Sequence, residues 1–191
     1  MIKVGGSLFD LPDLRTRLES IVEGLPLRRL VVVSGGGPFA DAVRRIQSVH
    51  QLSDAVAHNM AMQSLSVGET LLSALLPRAV IVRTANQLRS DAINVVHPAE
   101  FVRHTAELHQ ACDVPKSWDF TSDSIAAWVA SVTDASELVL LKSVDARSMS
   151  EANRHLDACF PRFAESIGCI RWCNLRRTTQ LTTLRSNDHK S

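Results

Sequence analysis

The chain has 191 residues, of which 45% are hydrophobic and 21% are charged, and its formal net charge is +1. This length and apolar content exclude a largely disordered chain and predict one folded domain. The balanced charge argues against a strongly basic nucleic-acid-binding protein, and four cysteines are too few for a disulfide framework in a chain of this length.

No apolar run approaches the roughly 18 residues that a membrane span requires. The first residues lack the basic and apolar regions of a secretory signal. We therefore expect reduced thiols, a cytoplasmic location and no membrane partner.

Apolar segments typical of strands alternate with longer segments typical of amphipathic helices. In chain order the predicted elements are strand 1–4, helix 11–25, strand 29–33, helix 38–49, helix 54–76, strand 79–82, strand 93–96, helix 98–112, helix 121–132, strand 137–142, helix 150–167 with a break at Pro161, and strand 169–173. Strands separated by helices predict one α/β domain with a mostly parallel sheet that is covered on both faces. Because ligands of such sheets bind beyond the carboxyl ends of the strands, we expect the site at the turns after Val4, Val33 and Leu141.

The first of these turns reads Lys3-Val4-Gly5-Gly6-Ser7. Glycines at a strand end allow backbone N–H groups to point toward an anion, and Lys3 would add a positive charge. The alternative is a plain tight turn with a surface lysine.

The second turn, Ser34-Gly35-Gly36-Gly37, directly precedes a predicted helix. Three glycines cost conformational entropy, so a purely structural turn seldom needs all of them. They would expose backbone donors beside a helix N-terminus, where the helix dipole favours negative charge. The two loops together predict a site for two anionic groups that face each other.

Two further segments carry charged side chains toward the same edge. Asp123 follows Thr121 and Ser122, which are good helix N-caps, so it either complements a helix dipole or orients lysines that contact a transferring phosphoryl group. Asp119 would then bind the acceptor. Lys142 leaves a buried strand and either reaches a ligand or extends into solvent as a surface lysine.

In order and approximate spacing, four segments resemble the amino-acid kinase superfamily, which includes acetylglutamate, glutamate, aspartate, carbamate, uridylate and isopentenyl phosphate kinases. The resemblance runs from residue 1 to about 184, and its segments are 3–7, 33–38, 121–126 and 141–145. Segments 57–61 and 118–124 look most like the small branch that includes the aminomethylfuran phosphate kinase of methanofuran biosynthesis.

The resemblance implies a three-layer α/β/α sandwich of the carbamate kinase-like type, with a single domain at 1–184 and a polar tail at 185–191. It implies ATP as phosphoryl donor and Mg²⁺ held by phosphates, with no direct protein ligand. The acceptor would be a small metabolite that bears a phosphate or carboxylate, and a furan- or pterin-type one-carbon cofactor pathway is a candidate setting. Relatives commonly dimerise, and the apolar stretch 54–76 also favours a homodimer or larger assembly.

The resemblance also assigns roles to residues. It implies catalytic roles for Lys3, Asp123 and Lys142, contacts to ATP phosphates for Gly5, Gly6, Ser7, Ser143 and Asp145, and contacts to the acceptor for Gly35, Gly36, Gly37, His58 and Asp119. Such a site fits phosphoryl transfer, which needs in-line positioning and charge neutralisation more than a covalent nucleophile.

One departure from the family pattern leaves a second function open. Many members carry a late glycine-rich loop with another phosphate-binding lysine, whereas this chain has no glycine after Gly168. Lys142 is the candidate replacement. The alternative is a non-catalytic nucleotide- or anion-binding homologue, a sensor or storage protein that retains the kinase fold.

Overall fold

The computed structural model describes residues 1–25, 29–109 and 114–186. Its strands are β1 (Ile2–Val4), β2 (Leu30–Ser34), β3 (Ala79–Val82), β4 (Ile93–Val96), β5 (Glu137–Lys142), β6 (Cys169–Asn174) and β7 (Thr182–Ser186). Its α-helices are α1 (Leu14–Glu23), α2 (Gly37–His50), α3 (Asp54–Leu75), α4 (Pro98–His109), α5 (Ser122–Val132), α6 (Met149–Ala152) and α7 (Phe160–Ala164). Short 3₁₀ helices occupy Gly6–Leu8, Ala85–Gln87 and Asn153–His155.

In the described part of the chain, seven strands form one sheet in the order β3-β4-β2-β1-β5-β6-β7. Neighbouring strands are parallel except β7, which runs antiparallel to β6. The predicted α/β class with a mostly parallel sheet is therefore confirmed. Among the described residues, no helix is long and apolar enough to cross a bilayer.

The core lies on both faces of this sheet. On β5, Leu138 and Leu140 pack with α5 and α7, whereas Val139 and Leu141 pack with α1. Side chains alternate between the faces of a strand, so a continuous apolar run is what a strand buried on both sides requires. The three-layer α/β/α arrangement follows from this packing.

Two regions differ from the sequence-based prediction. The predicted helix at 150–167 is broken into α6, a 3₁₀ turn and α7, and Pro161 lies in the first turn of α7, where its missing N–H costs nothing. The unpredicted strand β7 crosses the predicted boundary between a domain at 1–184 and a tail at 185–191. Residues 110–112 of the predicted fourth helix and residues 187–191 lie outside the described residues.

Candidate active site

The site begins where three neighbouring strands end. Strands β2, β1 and β5 lie side by side and parallel, so their carboxyl ends meet at one edge of the sheet. Lys3 pairs in register with Leu140, and Lys142 follows two residues later on the same strand. Because Ile2 and Val4 face α1, the side chain of Lys3 must point to the opposite face, toward α5. Lys142 shares that face, since it stands two residues beyond Leu140.

Both lysines converge on Asp123, in the first turn of α5. The Lys3 Nζ lies 2.7 Å from Asp123 Oδ1. The Lys142 Nζ donates to both carboxylate oxygens, at 2.9 Å to Oδ1 and 2.8 Å to Oδ2. Lys3, Asp123 and Lys142 are only 3%, 5% and 9% exposed. Two ammonium groups against one carboxylate leave a buried site with an excess of positive charge.

The pKa values of Asp123 and Lys142 are both lowered. Burial by itself would raise the pKa of Asp123, but Lys3 and Lys142 outweigh it and hold that pKa below its ordinary value. The pKa of Lys142 is lowered to about 8, first by burial and then by the charge of Lys3, against the attraction of Asp123. Lys142 is therefore poised to lose its proton within an experimentally accessible pH range.

The start of α5 is held by a residue that is distant in sequence. Thr121 occupies the N-cap position, yet its side chain makes no capping bond, which differs from the prediction that Thr121 or Ser122 caps the helix. Asp157 takes that role: its Oδ2 accepts from the backbone N of Thr121, Asp123 and Ser124 at 3.2, 3.0 and 2.9 Å. Its Oδ1 accepts from the Thr121 hydroxyl.

The two glycine loops pack directly against each other. A Cβ on Gly6 would lie 2.1 Å from Gly37 N, and a Cβ on Gly35 would lie 2.4 Å from Gly6 N. Gly37 adopts φ +48, in the left-handed region that favours glycine. Glycine is therefore required here in part because the two backbones approach each other closely. This approach brings the N-terminus of α2 beside the end of β1.

A methyl group between the loops is therefore expected to disrupt the fold. We predict that Gly6→Ala lowers the free energy of unfolding by about 3 kcal/mol or more. The atoms that the added methyl group would meet belong to the backbone of Gly36 and Gly37, which cannot move aside as a flexible side chain could. The matched control is Gly168→Ala, whose Cβ would have its nearest neighbour at 3.9 Å. Urea unfolding measures both, and equal stabilities of the two variants would contradict the close packing of the loops.

Two adjoining cavities open at this edge of the sheet. The larger has a volume of about 310 Å³ and is lined by Lys3, Gly5, Gly6, Ser7, Gly36, Gly37, Asp41, Arg44, Ser122, Lys142, Ser143, Val144 and His155. The smaller has a volume of about 110 Å³ and is lined by Gly36, Gly37, Ala40, Arg44, His58, Ala61, Met62, Leu65, Trp118, Phe120, Thr121 and Ser122. Gly36, Gly37, Arg44 and Ser122 belong to both, so the second glycine loop separates the two cavities.

Most of the predicted site residues meet at these cavities. Asp123 lies behind Lys3 and Lys142, which line the larger cavity together with Gly5, Gly6, Ser7 and Ser143, while His58 lines the smaller one. The Ser7 and Ser143 hydroxyl oxygens are 2.9 Å apart, so the first loop and the end of β5 are bonded to each other.

Besides Asp123, three predicted residues line neither of these cavities. The N–H of Gly35 donates to the Val4 carbonyl at 2.8 Å, so it continues the sheet. Asp119 is exposed and accepts from Ser117 Oγ at 3.2 Å. The carboxylate of Asp145 accepts from Asn174 at 3.0 Å and from Arg177 at 2.7 Å, which lowers its pKa.

His58 is buried with a defined hydrogen bond. Its Nδ1 lies 3.0 Å from the carbonyl oxygen of Ser117, and a carbonyl accepts only, so Nδ1 carries the proton. Burial lowers the pKa of His58 below its ordinary value despite this bond. The imidazole is therefore neutral near pH 7, which makes Nε2 a hydrogen-bond acceptor.

Sequence reasoning missed Arg44, Trp118 and His155. The guanidinium of Arg44 lies 4.1 Å from the centroid of the Trp118 ring and pairs with Asp41 at 3.2 Å. Helical periodicity could have found Arg44, since it follows Gly37 by two turns on one face of α2. Trp118 reaches the smaller cavity from the loop before α5, and His155 reaches the larger one from a short 3₁₀ helix. No local pattern marks either residue as part of a cavity wall.

The residues present fit phosphate groups better than a bare metal ion. Within the described ranges, no group of three or more His, Cys, Asp or Glu side chains could hold a metal. Asp123 is already engaged by both lysines. The cations, the glycine loops and the N-terminus of α2 instead form an anion-binding surface.

Comparisons with solved structures agree on the fold. The UMP kinase of Ureaplasma parvum superposes with a TM-score of 0.64 at 15% identity, covering 97% of each chain. The uridylate kinase of Archaeoglobus fulgidus superposes with a TM-score of 0.63 at 14% identity, and the match covers 97% of this chain and 90% of that one. The aspartate kinase of Synechocystis superposes with a TM-score of 0.67 at 15% identity, and the match covers all of this chain and 40% of that enzyme.

Sequence comparison gives the family. A curated relative, the (5-(aminomethyl)furan-3-yl)methyl phosphate kinase of Methanocaldococcus jannaschii, is 25% identical over 150 residues, which cover 76% of this chain and 66% of the relative. The chain thus matches just under two thirds of that relative's length. The model of the amino acid kinase family matches residues 1–149. Because this match spans well over half of the chain and includes the glycine loops, Asp123 and Lys142, the protein belongs to the amino acid kinase family.

Proposed function

We propose that this protein is an ATP-dependent kinase that transfers a phosphoryl group to a small acceptor. The observation that carries the proposal is the buried pair Lys3 and Lys142, held by Asp123 at the wall of a cavity between two glycine loops. Family membership supports the same reaction class.

The chain's own residues supply what this chemistry needs. ATP, when bound, supplies the activated phosphoryl group. Lys3 and Lys142 present two ammonium groups to the oxygens on which negative charge redistributes, and Asp123 fixes both in place. The N-terminus of α2 lies at the boundary between the cavities, where the helix dipole favours negative charge. Mg²⁺, held by the phosphates, is part of this proposal.

The smaller cavity is the proposed acceptor site. Trp118 and Phe120 give it flat walls, Arg44 offers a charge for a phosphate or carboxylate, and Nε2 of His58 accepts from an N–H or O–H of the acceptor. A small ring-bearing phosphate with an amine meets these requirements. The name of the Methanocaldococcus jannaschii relative describes such a compound, and we propose a related acceptor in a furan- or pterin-type one-carbon cofactor pathway.

The decisive experiment is phosphoryl transfer with a panel of acceptors. Purified protein is incubated with ATP and MgCl₂ and with UMP, aspartate, acetylglutamate or an aminomethylfuran phosphate, and ³¹P NMR identifies the product. We expect a new phosphorylated product with the furan phosphate that is absent with Lys3→Met. ATP binding by calorimetry without turnover on any member would contradict the proposal.

That negative outcome would support the non-catalytic alternative, which the match to a kinase family does not favour. One local feature of the sequence supports the non-catalytic alternative: after β6 the chain carries Arg176 and Arg177 instead of a glycine-rich loop. Arg176 donates to the Ser7 carbonyl at 2.6 Å, and Arg177 pairs with Asp145 at 2.7 Å. These contacts tie the segment after β6 to the first glycine loop and to the loop after β5.

Activity is expected to fall in alkaline solution without unfolding. The pKa of Lys142 is about 8, so kcat/KM, which reports the free enzyme, should decline above about pH 8 as the ammonium is lost. Bound phosphates favour the charged form, so kcat should decline at a higher pH than kcat/KM.

Stability should move in the opposite direction over the same range. Because the pKa of Lys142 is about 8 when folded and 10.5 ordinarily, the unfolded chain binds more protons between these values. The contribution of this group to stability therefore rises with pH in that window. A pH–rate profile beside urea unfolding checks both trends, and a constant kcat/KM to about pH 10 would contradict the role of Lys142.

We also propose a homodimer. Apolar side chains are exposed on α2 and α3: Ile46 at 41%, Val49 at 74%, Val56 at 46% and Val67 at 48%. Burying them would remove apolar surface from water. Sedimentation at micromolar concentration is expected to give a species of twice 21.0 kDa, and a species of 21.0 kDa alone would remove the proposal. A cytoplasmic location stays a prediction.

A further inference from the structure

We propose that Asp157 is a positioning residue for the two lysines: it holds the first turn of α5, and this turn fixes Asp123 against Lys3 and Lys142. The kinetic consequence rests on the proposed kinase function. The effect on Lys142 does not, so it can be tested without any turnover.

Asp157 holds the backbone of Asp123, the part of the chain from which the Asp123 side chain extends toward the lysines. The N–H of Asp123 donates to Asp157 at 3.0 Å, while the carboxylate of Asp123 accepts from both lysines. The neighbouring N–H groups of Thr121 and Ser124 donate to the same oxygen. N–H groups in the first turn of a helix have no intrahelical acceptor, so one distant carboxylate satisfies this turn and fixes its position.

The charge of Asp157 also reaches the site. Burial and Lys3 are the main causes that lower the pKa of Lys142, while Asp123 and, more weakly, Asp157 raise it. The charged and titratable groups around Asp157 come from several elements: Lys142 on β5, Asp123 on α5, and Asp119 and Cys159 in the adjoining loops. Among these, Lys142 is the cation whose ionisation the carboxylate of Asp157 supports.

The same short segment forms part of the cavity wall. His155, two residues before Asp157, lines the larger cavity. Contact between this segment and the start of α5 therefore joins a wall of the cavity to the residue that holds the lysines. A purely structural cap would stabilise the helix and leave the ionisation of Lys142 unchanged.

Lysine NMR can separate these two roles. The chain contains only four lysines, at positions 3, 116, 142 and 190, so ¹³Cε signals of labelled protein can be assigned by single substitutions. In Asp157→Asn we expect the titration of Lys142 to move to lower pH by about half a pH unit, because a carboxylate charge is removed. The matched control is Thr121→Val, which removes the hydroxyl bond to Asp157 without changing any charge.

Each outcome decides the proposal. A lowered pKa of Lys142 in Asp157→Asn but not in Thr121→Val supports it, and equal behaviour of the two variants overturns it. If Asp157→Asn does not fold, Asp157→Glu takes its place. Because the charge is kept, Lys142 should then titrate as in the unsubstituted protein, and a displaced titration would overturn the proposal.

Turnover adds a separate test. If the protein is a kinase, Asp157→Asn should show the alkaline limb of its kcat/KM profile at lower pH, in parallel with the NMR titration. If no acceptor is phosphorylated by the unsubstituted protein, the proposed function fails, while the NMR result still decides the role of Asp157.

Discussion

Replacing Lys3 with methionine is expected to lower kcat/KM by at least about a hundredfold while the protein stays folded. Loss of one preorganised donor to a developing negative charge typically costs this much. Methionine keeps an unbranched side chain of similar size in a position that is 3% exposed. Asp123 retains its two bonds to Lys142, so no buried carboxylate is left without a cation.

The measurement is steady-state kinetics beside thermal unfolding in one preparation. The matched control is Lys116→Met, which removes an exposed ammonium group that lines neither cavity. We expect the control to keep both activity and stability. Full turnover in folded Lys3→Met protein would remove Lys3 from the reaction.

Replacing Asp123 with asparagine is expected to reduce both turnover and stability. Asparagine has the shape of aspartate but no charge, so two buried ammonium groups lose their counter-ion. Breaking a buried ion pair from one side costs about 3–5 kcal/mol. Without the carboxylate the lysines are also less well ordered, and turnover should fall by at least about a hundredfold.

The pH dependence distinguishes a charge effect from a loss of packing. In the unsubstituted protein the pKa of Asp123 is lowered, so its contribution to stability is present above the ordinary pKa of 3.8 and is lost as the pH falls through the folded value. In Asp123→Asn, Lys142 has lost its counter-ion, so its pKa should fall further in the folded state. The stability difference should therefore shrink from pH 7 to about pH 10 while turnover stays low.

Urea unfolding across this range tests the expectation, with Asp13→Asn as control. Asp13 pairs with Arg17 at 2.8 Å on the surface, where its side chain is 51% exposed. An exposed pair of this kind contributes about 1 kcal/mol or less. A stability loss in Asp123→Asn that is independent of pH, or turnover that is unchanged, would show that Asp123 acts only through local packing.

Local sequence patterns were sufficient for the fold class and for the candidate lysines. Continuous apolar runs such as 138–141 predicted strands buried on both faces, because only a covered sheet hides side chains that alternate in direction. Glycines after two such strands predicted backbone that must approach closely, and the loops do pack against each other. Lys3, Asp123 and Lys142 were candidates because they stand at element ends, which parallel strands bring to one edge.

The tertiary structure decided which of the candidates meet. Asp119 and Asp145 resembled site residues in sequence, yet one is exposed and the other is bonded to Asn174 and Arg177. Arg44 and His155 reach the cavities through the placement of α2 and of a short 3₁₀ helix. Whether a side chain faces a cavity depends on contacts between segments far apart in sequence, which a local pattern does not encode.

The same reason explains the errors in the element boundaries. Strand β7 contains few large apolar residues and forms because the edge of β6 offers it hydrogen-bond partners. The helix at 150–167 gives way to a loop that carries Asp157 to the start of α5, 34 residues away from Asp123. The sequence by itself determined the sheet, the glycine loops and the charged residues at its edge. Only the tertiary structure decided that Asp123 holds both lysines and that Asp157 caps its helix, because each depends on long-range packing that brings these groups together.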